Sequence, residues 1–197
     1  MENNIAVVRI KLKHANFPIR RRVELDSNTT LDEFHEIIQI VMGWENCHLH
    51  NFVADGVIYT PEIEEEYDIP EDLKGYITPE KPTIRTKLKD ILNSKKIIYI
   101  YDFGDSWKHE IVLNRYIEPK KGVKYPICAA AIGLCPPEEI GGIGRYNDFI
   151  YEAMNGNTSE EFLYEIEDCE LSLEKLKNIE NEPVDIEYIN ELLEEFR

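Results

Sequence analysis

The first thirty residues show the alternation of apolar and charged side chains that is typical of β-strands. Val8, Ile10 and Leu12 alternate with basic residues, so one face of this strand is expected to be buried. Residues 20–25 repeat the pattern as a partner strand, and residues 16–18 can form the connecting turn. The sequence therefore predicts that the chain opens with a hairpin.

The segment that follows has a helical period. Thr30 and Glu33 have the spacing of a capping box, in which each side chain binds a free amide at the start of a helix. Apolar residues recur on one face of 31–41, which predicts an amphipathic helix. Gly43 is expected to end this helix, because glycine readily adopts the left-handed conformation of a helix terminus.

Four more strands are predicted before residue 120. Residues 48–54 and 57–59 are expected to pair around the dipeptide 55–56, an Asp-Gly sequence that suits a tight hairpin turn. Residues 97–103 and 107–117 are rich in β-branched and aromatic side chains and predict a second pair of strands.

The last third of the chain is predicted to be irregular at first and then helical. Residues 125–146 are rich in proline and glycine, which favours a loop. Three helices are expected after it, capped by Asn147, by residues 158–161 and by Asp185. This order indicates an α+β fold with a mostly antiparallel sheet, a β-β-α-β opening, helices packed on one side and a helical C-terminus.

Composition bounds the class of protein. The chain has 197 residues, 43% hydrophobic and 31% charged, which suits one domain with a small appendage. No apolar run reaches the ~18 residues that a membrane span needs, and residues 1–4 lack the pattern of a signal peptide. Four scattered cysteines do not form the disulfide framework of a secreted protein. We expect a cytoplasmic protein with reduced thiols, whose oligomeric state the sequence does not predict.

The net charge of −17 is unevenly distributed. Residues 147–197 hold 16 acidic and three basic side chains, and residues 62–72 hold seven acidic and no basic ones, whereas the first 22 residues hold six basic side chains and one acidic. The overall acidity argues against non-specific DNA binding, although a local basic face remains an alternative. The candidate nucleic-acid contacts are Arg9, Lys11, Arg20, Arg22 and Lys87.

Several motifs occur in a fixed order along the chain. They are LDEFHEIIQIVMGW at 31–44, HLHNF at 48–52, YIYDFGDSWKH at 99–109, YP at 125–126, CPPEEIGG at 135–142 and YNDF at 146–149. Together they resemble the plasmid pRiA4b ORF-3-like family, over roughly residues 5 to 155.

The resemblance implies a compact α+β fold and no established reaction. Members of the family also travel in bacterial mobile elements, which implies an accessory role around DNA. We therefore divide the chain into a family domain at 1–155 and an acidic helical extension at 156–197 that is expected to pack on it.

The motifs also suggest a common cleft. Side chains two residues apart on a strand point the same way, so Asp105, Trp107 and His109 can line one patch, as can His48 and His50. We expect the glutamates of the CPPEEIGG loop to approach this hairpin and rim the same cleft. The candidate binding residues are His48, His50, Asp102, Asp105, Trp107, His109, Glu138 and Glu139.

Two interpretations of these residues remain open. A neutral imidazole can act as a base or a metal ligand, so His48, His50 and His109 are candidate ligands for zinc or manganese. In the structural interpretation the aspartates bind turn amides, Trp107 belongs to the core and His109 bonds across the sheet. No short ligand motif such as HExxH is present, so no cofactor is expected, with a divalent metal as the alternative.

The function predicted from the sequence is a non-enzymatic binding or accessory module with an unidentified protein or nucleic-acid partner. Two alternatives stay open beside it. One is nucleic-acid binding through the basic N-terminal strands. The other is a metal-dependent hydrolase, and its proposed residues are His48, His50, Asp102, Asp105, His109 and Glu138.

Overall fold

A computed structural model describes residues 4–61, 80–179 and 181–197. The strands in these residues form one sheet of eight in the order β5-β4-β3-β6-β7-β1-β2-β8, in which the β4–β5 pair alone is parallel. The acidic segment at 62–72 lies outside the described residues. The strands are β1 Ile5–Leu12, β2 Arg20–Asp26, β3 His50–Ala54, β4 Val57–Thr60, β5 Glu80–Pro82, β6 Ile97–Tyr101, β7 Trp107–Ile117 and β8 Ile127–Ile132.

Six α-helices accompany this sheet within the described residues. They are α1 Leu31–Met42, α2 Leu88–Ile91, α3 Gly142–Met154, α4 Glu160–Asp168, α5 Leu173–Lys177 and α6 Ile186–Leu192. The capping box of Thr30 and Glu33 starts α1 as predicted, and Gly43 ends it with a φ of 82°. The predicted α+β class, with a mostly antiparallel sheet and a helical C-terminus, is therefore confirmed.

The two faces of the sheet differ in character. We call the face that carries α1 the inner face, and the opposite face the outer face. Phe34 of α1 packs on Phe52 of β3, and Trp44 stacks on Tyr101 of β6, with ring centroids 5.9 and 5.3 Å apart. Along β1 the alternate residues Ala6, Val8, Ile10 and Leu12 are buried in this core. Arg9 and Lys11 lie between them and therefore point to the outer face.

The predicted turn chemistry is present at the β3–β4 hairpin. Ala54 pairs with Val57, so Asp55 and Gly56 form a two-residue turn. Both have positive φ, 48° and 82°, as the tight hairpin turn requires.

Residues 125–146 are not the loop predicted from their proline and glycine content. They contain β8, whose sequence ICAAAI has weak strand propensity and becomes a strand by pairing with β2. They also contain the start of α3, which begins at Gly142 and not after Asn147. Asn147 instead accepts a hydrogen bond from the Asn16 amide and donates one to the His14 carbonyl, at 2.9 and 2.8 Å. It thus fixes the β1–β2 turn to α3.

The C-terminal region contains more helices than the three predicted. Short α5 was missed, and Ser159 caps α4 in place of Thr158. Asp185 caps α6 as expected. The side chain of Asn190 bonds both the backbone N–H and the carbonyl of Cys128, which attaches α6 to β8.

No helix among the described residues is long and apolar enough to cross a membrane.

Candidate functional site

The hydroxyl of Tyr101 organises the segment that joins α1 to β3. It accepts hydrogen bonds from the backbone amides of Cys47 and His48, at 2.8 and 3.2 Å, and donates one to Glu138 Oε1. The other carboxylate oxygen of Glu138 accepts a hydrogen bond from the Glu45 amide at 2.6 Å. The carboxylate of Glu138 is therefore held in place from two sides.

His48 lies next to this carboxylate and to that of Glu139. Its Nε2 is 2.6 Å from Glu139 Oε1 and 3.8 Å from Glu138 Oε1. One ligand atom from each residue lies within 4.8 Å of the other two. The side chain of Glu139 is 79% exposed, that of His48 is 30% exposed and that of Glu138 is 9% exposed. We call these three residues the His-Glu cluster.

The carboxylates around His48 favour its protonated form. The hydrogen bond that His48 donates to Glu139 raises the pKa of His48, against a smaller effect of desolvation, and the negative charges of Asp102, Glu139 and Glu138 raise it further. When its ring is protonated, His48 forms an ion pair with Glu139. A metal ion bound here would replace that proton.

The glutamates of the His-Glu cluster line a cavity of about 380 Å³. Five carboxylates and one cationic side chain line it, so a bound cation would be favoured over an anion. The cation is Arg145. It lies 3.9 Å from Glu165 of α4, and Glu165 is not one of the lining residues. The lining residues are Gly43, Glu45, Cys47, Pro137, Glu138, Glu139, Ile140, Arg145, Asp168, Cys169 and Glu170.

The two aspartates of the β6–β7 turn have structural hydrogen bonds. Asp102 has a φ of 52°, and its Oδ1 accepts a hydrogen bond from the Gly104 amide at 2.8 Å. Asp105 Oδ2 accepts one from the Gly141 amide at 3.1 Å. The turn and the CPPEEIGG loop are thus in direct contact. Burial and the charge of Asp102 raise the pKa of Asp105, although the Gly142 and Gly141 amides oppose this.

Trp107 and His109 point into the core and line no open cleft. Both are almost fully buried on the inner face. The ring of His109 lies 5.2 Å from that of Trp44 and 5.4 Å from that of Tyr99. Among the described residues neither ring nitrogen of His109 has a hydrogen-bond partner of ordinary geometry. Burial lowers the pKa of His109 to about 3. Neither Asp102 nor Asp105 forms a hydrogen bond with this ring.

His50 is also buried, in a stack with a histidine that the sequence did not single out. Its ring lies parallel to that of His35, with centroids 3.4 Å apart. The Nε2 of His35 bonds Asn46 Oδ1, so this nitrogen carries the hydrogen and Nδ1 accepts from the Tyr99 hydroxyl. Burial lowers the pKa of His50 to about 3 and lowers that of His35.

The structure therefore brings together only part of the predicted site. His48 and Glu138 meet with Glu139, while Asp102 and Asp105 hold the adjoining turn. His50 and His109 do not join His48 in one metal site, because His48 precedes β3 and the other two are in the core. The six residues proposed for a hydrolase are not assembled as one open site.

The basic candidates divide in a similar way. Arg9 lies opposite Arg22, and Lys11 opposite Arg20, across the β1–β2 pair. Lys87 does not join them, because it bridges to Thr30 at the start of α1, beyond the opposite end of β2.

The described cysteines form no catalytic arrangement. Desolvation and neighbouring carboxylates, Glu138 first, raise the pKa of the exposed Cys47 thiol. Burial raises the pKa of Cys135 to about 12 and raises that of Cys128. These thiols are not activated as nucleophiles, because the thiolate is the reactive form.

Comparison with known proteins agrees with this fold and these motifs. The model of the plasmid pRiA4b ORF-3-like protein family matches residues 4–173. An uncharacterized protein of Sinorhizobium fredii, y4hQ, is 34% identical over 166 residues, which cover 83% of this chain and 81% of that protein. The crystal structure of MM3350, a protein of unknown function from Methanosarcina mazei Go1, superposes with a TM-score of 0.71 at 28% identity, covering 84% of this chain and 89% of that one. The chain belongs to the plasmid pRiA4b ORF-3-like family.

Proposed function

We propose that the protein is a non-enzymatic binding module that holds a divalent metal ion, of the zinc or manganese type, at the His-Glu cluster. The observation that carries this proposal is the convergence of three ligand atoms within 4.8 Å, two of them from residues that line an acidic cavity. The family description refers to a plasmid open reading frame, which supports an accessory role connected with mobile elements.

The preorganisation of Glu138 supports a metal site over a simple surface ion pair. Its carboxylate is fixed by the Tyr101 hydroxyl and by the Glu45 amide, so little side-chain entropy is lost when it binds a cation. Imidazole and carboxylate ligands together suit zinc and manganese. Three protein ligands leave further coordination positions for water or for a group of a partner molecule.

The charge of the cavity supports the same conclusion. The carboxylates of Glu45, Asp168 and Glu170 add to those of the cluster, and Arg145 is the one cation among the lining residues. This field attracts a divalent cation and repels phosphate or carboxylate substrates.

The burial of His50 and His109 favours a binding role over hydrolysis. A general base must reach its substrate directly or through one water, and the rings of His50 and His109 are both buried in the core. The thiols have raised pKa values, so they supply no nucleophile either.

Elemental mass spectrometry of protein purified without metal-affinity columns or chelators tests the proposal. We expect about one zinc or manganese per chain, the stoichiometry of a three-ligand site. His48→Asn and Glu139→Gln should each lose the metal. The matched control is His14→Asn, because His14 is an exposed histidine outside the cluster whose positive φ of 65° suits asparagine.

Three results would reject the proposal. The first is metal retention by both cluster variants. The second is an absence of metal in every preparation together with no thermal stabilisation on adding Zn²⁺ or Mn²⁺, since a ligand at 100 times its Kd stabilises by about 2.7 kcal/mol. The third is metal-dependent hydrolysis of model esters that Glu139→Gln abolishes, which would establish the hydrolase alternative.

A further inference from the structure

The outer face of the sheet brings cationic side chains into direct opposition. Arg9 lies opposite Arg22 and Lys11 opposite Arg20 in the β1–β2 register. Opposed side chains have Cβ atoms about 5 Å apart, and successive pairs on one face are separated by about 7 Å along the strands. Lys108 on the adjacent β7 is exposed between the inward-facing residues 107 and 109. We call these five residues the basic patch.

The cations of this patch have no ion-pair partner among the described residues. Glu110, which lies opposite Lys11 in the β1–β7 register, does not pair with it. The Nε atoms of Arg9 and Arg20 are buried without a hydrogen-bond partner. Arg22 donates a hydrogen bond to the backbone carbonyl of Ala129 at 3.3 Å, but this acceptor carries no charge.

This arrangement is unfavourable for the protein alone. Like charges directly opposed on neighbouring strands destabilise a sheet. Glu24 lies on the same face of β2, but its ion pair is with Lys120, at 3.9 Å, and not with a member of the patch. Retained repulsion of this kind is explained if an anionic ligand supplies the missing charge.

The shape of the patch distinguishes between anionic ligands. A shallow cavity of about 220 Å³ runs beside it, lined by Arg9, Arg20 and Arg22 and by Ala130 and Ile132 of β8. The cations follow two adjacent strands, so the track is about 5 Å wide. A duplex presents its two backbones across a major groove about 12 Å wide, whereas a single phosphodiester chain fits one narrow track.

We propose that the basic patch binds the phosphate backbone of a single-stranded nucleic acid. No aromatic side chain lines the described cavity, so the contacts are electrostatic and independent of base sequence. The patch lies on the outer face, and the residues that support the His-Glu cluster lie on the inner face. The two sites are therefore separate, and this proposal does not depend on the metal site.

Fluorescence anisotropy with a labelled single-stranded oligonucleotide of mixed sequence, in EDTA, tests the proposal. We expect the affinity to fall steeply with added salt, with a log–log slope of about −0.7 per phosphate contact. Arg9→Gln/Arg22→Gln should weaken binding about tenfold or more at 0.1 M salt and reduce the slope by about 1.4. The matched control Lys87→Gln/Lys89→Gln removes the same charge outside the patch and should bind like the unmodified protein.

A stability measurement separates loss of binding from loss of folding. Because the double variant removes a repulsive pair, its unfolding temperature should equal or exceed that of the unmodified protein. If it falls, the exposed Lys11→Gln provides the same binding test with one contact removed. The proposal is overturned if the unmodified protein shows no salt-dependent binding, if the patch and control variants bind equally, or if polyglutamate of matched charge binds as tightly as the oligonucleotide.

Discussion

The buried histidines make the stability of this protein depend on pH in a way that can be calculated. His50 and His109 have pKa values of about 3 in the folded chain, because burial penalises the charged ring, against 6.5 when exposed. As the pH falls through 6.5, the unfolded chain takes up protons that the folded chain cannot accept. Stability is therefore complete above pH 6.5 and is lost progressively between pH 6.5 and about 3.

The size of the loss follows from proton linkage. Well below pH 6.5, each such histidine costs about 1.4 kcal/mol per pH unit. Between pH 7 and pH 5 this amounts to about 2 kcal/mol for each ring, and about 4 kcal/mol for the pair. The direction of the pKa shift of His35 is the same, so it adds to the loss.

Urea denaturation at pH 7 and pH 5, followed by fluorescence of the buried Trp44 and Trp107, measures this loss. His109→Leu removes one titrating ring and should lose about 2 kcal/mol less between the two pH values than the unmodified protein. His14→Asn, at an exposed position, is the control and should lose as much as the unmodified protein. If His109→Leu also loses the full amount, His109 is not held unprotonated in the core and the argument is refuted.

The two remaining predictions concern the hydroxyl that holds Glu138 and a glycine next to β8. Tyr101→Phe removes the hydroxyl that binds Glu138, so we expect about 1–3 kcal/mol lower stability in urea and at least tenfold weaker zinc binding by calorimetry. Equal zinc affinity would show that Glu138 needs no such support. Gly133→Ala would force a Cβ against the carbonyl oxygen of Pro18 at a φ of 80°, whereas Gly56→Ala at a φ of 82° meets no atom within 4 Å. Both variants should lose about 1 kcal/mol of unfolding free energy to the strain of a positive φ. Thermal unfolding should show a larger loss for Gly133→Ala than for Gly56→Ala, and equal losses would contradict the argument.

Much of the sheet could be predicted because its signals are local. The alternation on β1 and the capping box of α1 each depend on residues within one element, and each is present in the structure. β8 could not be predicted in this way. Its alanines carry little strand propensity, and the pairing that orders it comes from β2, about one hundred residues earlier.

The candidate site was predicted less completely, for geometric reasons. His48 and His50 were expected on one strand face, but β3 begins at His50, so the two-residue period does not include His48. His35 was overlooked because it lies on the apolar face of α1. Its stacking on His50 joins two elements that are distant in sequence, so one helix alone does not reveal it. The glutamates of the CPPEEIGG loop were expected to approach the β6–β7 hairpin, and Glu138 does so at the Tyr101 hydroxyl, while Asp105 binds the Gly141 amide of the same loop.

The attachment of Asn190 to β8 has a consequence for self-association. β8 is an edge strand, and the Asn190 amide occupies the N–H and carbonyl of Cys128 that a further strand would need. The opposite edge, β5, has three residues and ends at Pro82, which has no N–H to donate. Each end of this sheet of eight described strands is thus poorly suited to accept a strand from another molecule. This protects the protein against edge-to-edge polymerisation.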